Sequence, residues 1–196
     1  SVLKFHPTTG QFLGYFVPEG TAGLAQTRGM IFGPDGDLYV CSRFNGVFRF
    51  NGTTGAHVRT ISIPNESDRC TIGPDGRLYV TGERNVVHVA NPDTGAYIGQ
   101  FVTPAQGLTN ARAIQFGPDG FLYVANMNTA TIFKINGSTG IFDSIFASGA
   151  PILQAAGMKF GSGTRVVSGR LRLRNRDQFA PPLPTVRGLT TWGCTW

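Results

Sequence analysis

A nine-residue stretch recurs along this chain at a nearly constant period. It reads Phe32-Gly33-Pro34-Asp35-Gly36-Asp37-Leu38-Tyr39-Val40 and returns as Ile72-Gly73-Pro74-Asp75-Gly76-Arg77-Leu78-Tyr79-Val80. A third copy is Phe116-Gly117-Pro118-Asp119-Gly120-Phe121-Leu122-Tyr123-Val124, and a decayed fourth begins at Phe160-Gly161-Ser162-Gly163. The first glycines stand at 33, 73, 117 and 161, a spacing of 40, 44 and 44 residues. Such a period means one supersecondary unit, repeated and stacked, so the unit constrains the fold before anything else does.

Each unit reads as four strands, a to d. Strand a runs into Gly-Pro-Asp-Gly, where proline presets its backbone angle and the last glycine can turn left-handed. Strand b is Leu-Tyr-Val, aromatic and β-branched as a half-buried strand requires. After a variable loop comes strand c, as in Val47–Phe50, Val86–Val89 and Thr131–Ile135. A turn follows: Asn51-Gly52-Thr53-Thr54-Gly55, Asn91-Pro92-Asp93-Thr94-Gly95 or Asn136-Gly137-Ser138-Thr139-Gly140. Strand d closes the unit, as in Tyr97–Val102. Four-stranded meanders of roughly 40–45 residues are the blades of β-propellers.

The chain opens with a c–d pair, Val2–Phe5 and Gln11–Val17, around His6-Pro7-Thr8-Thr9-Gly10. Residues 155–168 offer an a–b pair. The expected fold is therefore all-β: a small propeller of about four four-stranded blades over residues 1–169. Its closing blade is expected to pair the N-terminal c–d strands with the C-terminal a–b strands, which would remove open sheet edges. A piece of a larger ring, or a ring completed by a second chain, is the alternative. Residues 170–196 break the pattern. Arg170–Arg176 alternates arginine with other residues, Ala180-Pro181-Pro182-Leu183-Pro184 excludes regular structure, and Trp192 and Trp196 end the segment. It reads as a basic, Pro-rich appendage of low order.

The basic excess lies in the tail. The net charge is +6, yet residues 1–164 carry 11 basic and 10 acidic side chains, while residues 165–196 hold six arginines against Asp177. A folded body this close to neutral argues against general nucleic-acid binding. No run of about 18 apolar residues is present, so no membrane span is expected. Cys41, Cys70 and Cys194 lack metal-finger spacing and read as packing thiols, with a Cys41–Cys70 bridge as the alternative. Asn51, Asn65 and Asn136 match the glycosylation acceptor pattern.

The Phe-Gly-Pro-Asp-Gly-x-Leu-Tyr-Val stretches, with their Asn-Gly-Thr-Thr-Gly turns, resemble the NHL-repeat class of β-propellers over about residues 1–169. Gluconolactonase/regucalcin-like enzymes and streptogramin lyases are similar in blade pattern, as are many secreted or surface proteins without known catalysis. The resemblance implies the fold and says little of activity. Propellers of this class commonly have more blades than the four supplied here.

In such blades the a–b and c–d turns share one face, and the b–c loops and blade connections share the other. The first set is nearly constant here and the second differs between units. The variable face is thus the candidate binding face. Its loops hold Cys41-Ser42-Arg43-Phe44-Asn45, Thr81-Gly82-Glu83-Arg84-Asn85 and Ala125-Asn126-Met127-Asn128-Thr129. Arg28, Arg69 and Arg112 recur just before strand a, the innermost strand. They either ring a channel mouth that favours carboxylate or phosphate, or bond loop carbonyls of a neighbouring blade. Arg43, Glu83, Arg84, Asn126 and Asn128 complete the candidate site. Asp35, Asp75 and Asp119 read as turn residues, not calcium ligands, and His6, His57 and His88 fall at unlike repeat positions.

These features point to a non-catalytic binding or assembly module, without cofactor or metal, that takes a protein or small anionic ligand. Self-association through the terminal blade or the tail is a further expectation, and an extracellular or cell-surface setting is expected. Two other readings stand beside it: a metal-dependent lactonase or lyase, with Glu83, Asn126 and Asn128 as donors, and a structural subunit completed by strand exchange.

Overall fold

A computed structural model describes residues 1–82, 85–149, 157–160 and 166–168. Strands β1 (Val2–Phe5) and β2 (Phe12–Val17) form a two-stranded sheet. Three four-stranded antiparallel meanders follow in chain order. The first holds β3 (Thr27–Phe32), β4 (Leu38–Ser42), β5 (Gly46–Phe50) and β6 (His57–Ile61). The second holds β7 (Arg69–Ile72), β8 (Leu78–Gly82), β9 (Val86–Ala90) and β10 (Tyr97–Val102). The third holds β11 (Ala111–Phe116), β12 (Leu122–Asn126), β13 (Thr131–Ile135) and β14 (Phe142–Ser148). A second two-stranded sheet, β15 (Met158–Phe160) with β16 (Val166–Ser168), comes last. The chain is an all-β propeller built from the expected blades.

The turns form for local reasons. In Gly-Pro-Asp-Gly the aspartate Oδ1 accepts the backbone N–H two residues on, at Asp37, Arg77 and Phe121 (3.1, 3.1 and 3.2 Å). The last glycine takes φ of +81°, +77° and +78° at Gly36, Gly76 and Gly120, the left-handed region that a side chain disfavours. In the c–d turns, Asn51, Asn91 and Asn136 each accept two backbone N–H groups on one Oδ1. His6 does the same with Nδ1 in the first turn, receiving Thr8 and Thr9. That assigns one of the unlike histidines a turn role.

The remaining oxygen of each motif aspartate accepts a tyrosine hydroxyl from the strand it introduces. The pairs are Tyr39–Asp35, Tyr79–Asp75 and Tyr123–Asp119, at 2.7, 2.8 and 2.8 Å. Burial, then the carboxylate hydrogen bond, holds the Tyr39 and Tyr79 phenols well above their ordinary range. Burial pushes Asp119 up, but hydrogen bonds from Tyr123 and Lys134 outweigh it and leave its carboxyl lowered.

The core lies between blades. Alternate residues of the inner strands face opposite neighbours: Leu38 and Val40 pack toward β1–β2, whereas Tyr39 and Cys41 pack toward the β7 blade. Tyr79 meets Phe101 of its own blade and Phe116 of the next, with ring centroids 4.8 and 5.0 Å away. Tyr123 meets Phe146 and Phe160 in the same way, both at 4.9 Å. These near-perpendicular ring contacts suit the aromatic quadrupole. Cys41 and Cys70 are free, buried thiols in one core cluster; burial, then the contact with Cys70, pushes the Cys41 thiol well up.

The closing blade departs from expectation. Among the described residues β1 pairs only with β2, and β16 only with β15, so the chain ends do not share a sheet. The ring is therefore not closed among the described residues: β15 packs on β11 and the Tyr123 ring, while Leu3 and Phe5 of β1 stay exposed. Residues 170–196 and Cys194 lie outside the described residues.

Two outcomes follow from the core. Tyr79→Phe is expected to lower stability by about 1–2 kcal/mol in urea unfolding, since it removes a hydrogen bond to a carboxylate in a partly buried site; a cycle with Asp75→Asn should show positive coupling. His88 is buried, bonds Tyr97 Oη at 2.9 Å, and burial lowers its pKa from 6.5. Its folded value lies below its unfolded one, so its contribution is complete above about pH 6.5 and is lost as pH falls, while the unfolded chain alone takes the proton. Unfolding at pH 7.5 and 5.5 should show that loss in the parent and a smaller one in His88→Gln.

Candidate functional site

Main-chain bonds hold the variable loops. Within a blade, Arg43 N–H reaches the Gln26 carbonyl (3.1 Å) and Met127 N–H the Asn110 carbonyl (3.1 Å); from one blade to the next, Ser67 N–H reaches the Arg43 carbonyl (3.0 Å). Loops held this way present their side chains from a fixed frame.

The recurring arginines sit on three consecutive innermost strands, β3, β7 and β11. Gly29, next to Arg28, lies so close to Arg69 that a Cβ there would stand 2.5 Å from Arg69 Cδ. Arg112 Nη1 bonds Asp68 Oδ2 at 3.1 Å across the seam between the second and third complete blades. Arg69 Nη1 bonds the Asp68 carbonyl at 2.9 Å and lies 3.7 Å from Asp68 Oδ1. Asp68 is buried, and its own N–H is held by Thr81 O at 2.8 Å. Arg112 Nε also donates to Asn110 Oδ1 at 3.2 Å, and Asn110 Nδ2 donates to Asn128 Oδ1 at 3.3 Å. The structure thus joins Arg69, Arg112 and Asn128 through two residues the repeat pattern passed over, Asp68 and Asn110. An acid directly before a recurring arginine was the available signal for Asp68.

Arg28 differs from its counterparts. It is half-buried, and among the described residues it has neither hydrogen bond nor ion pair. Arg43 pairs with Glu66, Nε to Oε2 at 3.0 Å, and its guanidinium lies 4.9 Å from the centre of the Phe44 ring. Phe44 itself is exposed, an aromatic surface beside a cation. Asn126 is fully buried: Oδ1 accepts Thr109 N–H and Oγ1 (2.8 and 2.9 Å), and Nδ2 donates to Gly107 O at 3.1 Å. It anchors the connection before β11 and does not face the loop surface. Glu83 and Arg84 lie outside the described residues.

The donor set suits anions better than cations. Asp68 is the buried carboxylate among the described residues, and it faces two guanidinium groups, which would repel a divalent metal. Among the described residues no group of three or more His, Cys, Asp or Glu is placed to hold a metal ion, and no helix is long and apolar enough to cross a membrane.

No family model matches the sequence, and no curated protein matches it. Solved structures do match. A catalytically inactive virginiamycin B lyase from Staphylococcus aureus, crystallised with quinupristin, superposes with a TM-score of 0.62 at 22% identity. The match covers 83% of this chain and 54% of that one. A gluconolactonase-family protein matches with a TM-score of 0.64 at 15% identity, over 80% of this chain and 60% of that one. The extracellular domain of a one-component system from B. thetaiotaomicron matches with a TM-score of 0.60 at 16% identity, over 81% of this chain and 23% of that one. At these identities the likeness is one of propeller fold, and the chain spans about half the length of the lyase.

Removing the shared acid should be felt. Asp68→Ala is expected to cost about 1–3 kcal/mol, because it strips the half-buried Arg112 and Arg69 of their carboxylate. Urea unfolding checks this, and Asp68→Ala combined with Arg112→Met should recover part of the loss.

Proposed function

We propose that the chain is a non-catalytic binding module that takes an anionic group of a small ligand or protein at the mouth formed by β3, β7 and β11. The observation that supports this reading is the imbalance of that mouth. Arg69 and Arg112 both reach Asp68, and Arg28 beside them has no acid partner among the described residues. Guanidinium groups recognise carboxylate and phosphate through paired N–H donors. Asn110 and Asn128 supply neutral polar contacts at one side, and Phe44, beside the Glu66-paired Arg43, an aromatic face at another. The mixed rim favours selectivity over bulk attraction, in keeping with a body close to neutral. An extracellular setting accords with this reading, since one of the matching folds is an extracellular domain.

Titration calorimetry with citrate and with inorganic phosphate tests it. Saturable binding of at least one of them, weakened tenfold or more in Arg28→Ala and falling with added salt, is expected. Absence of binding to either, or binding unchanged by Arg28→Ala, overturns the reading.

A further inference from the structure

Two nucleophilic groups take no part in the turns, the mouth or the tyrosine–aspartate pairs: the thiols of Cys41 on β4 and Cys70 on β7. They belong to adjacent blades and are 0% and 4% exposed. Both sit in the core cluster that also holds Tyr39, Ile61 and Val80, so they share the seam between the first and second complete blades.

The repeat explains why they meet. Cys41 stands two residues after its motif tyrosine, where the next two blades hold Thr81 and Ala125. Cys70 stands two residues before Ile72, and Ile114 and Met158 hold the same place before Phe116 and Phe160. The sheets fix this second series, since Cys70 lies opposite Val80 as Ile114 lies opposite Val124. The other seams place the two positions together as well. Ala125 and Met158 belong to one packed cluster, and Thr81 Oγ1 donates to the Arg112 carbonyl, two residues before Ile114, at 2.8 Å. Only between the first and second complete blades are both positions cysteine. Packing alone does not ask for such a pair, because threonine with isoleucine and alanine with methionine serve at the other seams.

The backbones come close at this point. Thr27 lies opposite Ser42 and Met30 opposite Val40, so Arg28 and Gly29 together stand opposite Cys41 in a bulge. A Cβ on Gly29 would lie 2.9 Å from the Asp68 carbonyl oxygen and 3.3 Å from Arg69 Cα. Glycine thus lets β7 lie against β3 beside Cys41, one residue before Cys70. The two thiols are near enough to share a hydrogen bond; burial, and then that contact, holds the Cys41 thiol well above its ordinary range.

We propose that Cys41 and Cys70 are an oxidation site, joined as a disulfide across the seam when the chain meets a small-molecule disulfide such as oxidised glutathione. The thiolate of one cysteine attacks a sulfur of that molecule and expels one glutathione thiolate, leaving a mixed disulfide. The thiolate of the second cysteine attacks the protein-side sulfur, expels the other glutathione thiolate and forms the Cys41–Cys70 bond. The cysteines give up two electrons and two protons, and the oxidant leaves as two thiols. Both sulfurs are out of solvent and the Cys41 thiol is held protonated, so exchange begins when the seam opens. The bond ties β4 to β7 and closes the loop from 41 to 70, which narrows the unfolded ensemble. It lies beside the residues that carry Arg28 and Arg69, yet it is independent of anion binding at the mouth.

The full chain carrying Cys194→Ser, incubated with oxidised glutathione in urea just below the unfolding transition, tests the proposal. The intact mass should fall by two hydrogen atoms, and peptide mapping should join Cys41 to Cys70 within one chain. The oxidised form should show an unfolding constant lowered on the order of a hundredfold, and dithiothreitol should reverse the gain. Cys70→Ala in the same background should show neither the mass loss nor the gain. Thiols that stay unreacted, a lasting glutathione adduct in place of the internal bond, a crosslink between chains, or a bridged form no more stable than the reduced one would each overturn it.

Discussion

The hydroxyl-to-carboxylate bond inside each Gly-Pro-Asp-Gly-x-Leu-Tyr-Val stretch is the contact on which the rest of the structure depends. One aspartate does two things: Oδ1 closes the a–b turn on the backbone, and Oδ2 fixes the tyrosine four residues on. The tyrosine can then offer its ring to the next blade without leaving a buried hydroxyl unpaired, which would cost about 1–3 kcal/mol. Turn, strand and seam are therefore coupled through one side-chain pair, and a weakness in any one is felt by the others.

The blades vary around that pair without losing it. Tyr79 and Tyr123 are wedged between two phenylalanines each. Tyr39 instead has the Arg49 guanidinium 5.6 Å from its ring centre. Arg49 binds Asp35 and Asp37 of its own blade and Asp93 of the next, at 2.9, 2.7 and 2.8 Å. Lys134 does part of this on the third complete blade, pairing with Asp119 at 3.0 Å over the Phe121 ring. The Asp93 contact is exposed and adds little by itself, whereas the pairs with Asp35 and Asp37 are shielded and tie strand c to the a–b turn. Aromatic and cationic fillings thus solve the same problem, covering one face of the tyrosine.

Holding the blades from the turn end leaves the opposite end free to differ. There the contacts are not repeated: Asp68 serves two arginines, Asn126 anchors one connection, and Ser42 and Thr81 cap others through their hydroxyls. A scaffold secured on one face tolerates this variety on the other, and selectivity can reside there. Strands β1 and β2 keep the register of a blade's outer pair, and Leu3, Phe5 and Phe12 on them are exposed.

By itself the sequence determined the unit: four strands, two turn types, the order of blades and the all-β class. It could do so because Asp and Tyr four apart, Asn at a turn, and glycine at a left-handed angle act over a few residues of chain. It also marked the arginines and the variable face. Only the tertiary structure decided which arginines are neutralised, since Arg112 meets Asp68 from 44 residues away. It alone placed Asn126 inside the blade and kept β1 from β16. Those outcomes depend on the angle between packed sheets and on contacts across seams, and neither is written in local periodicity.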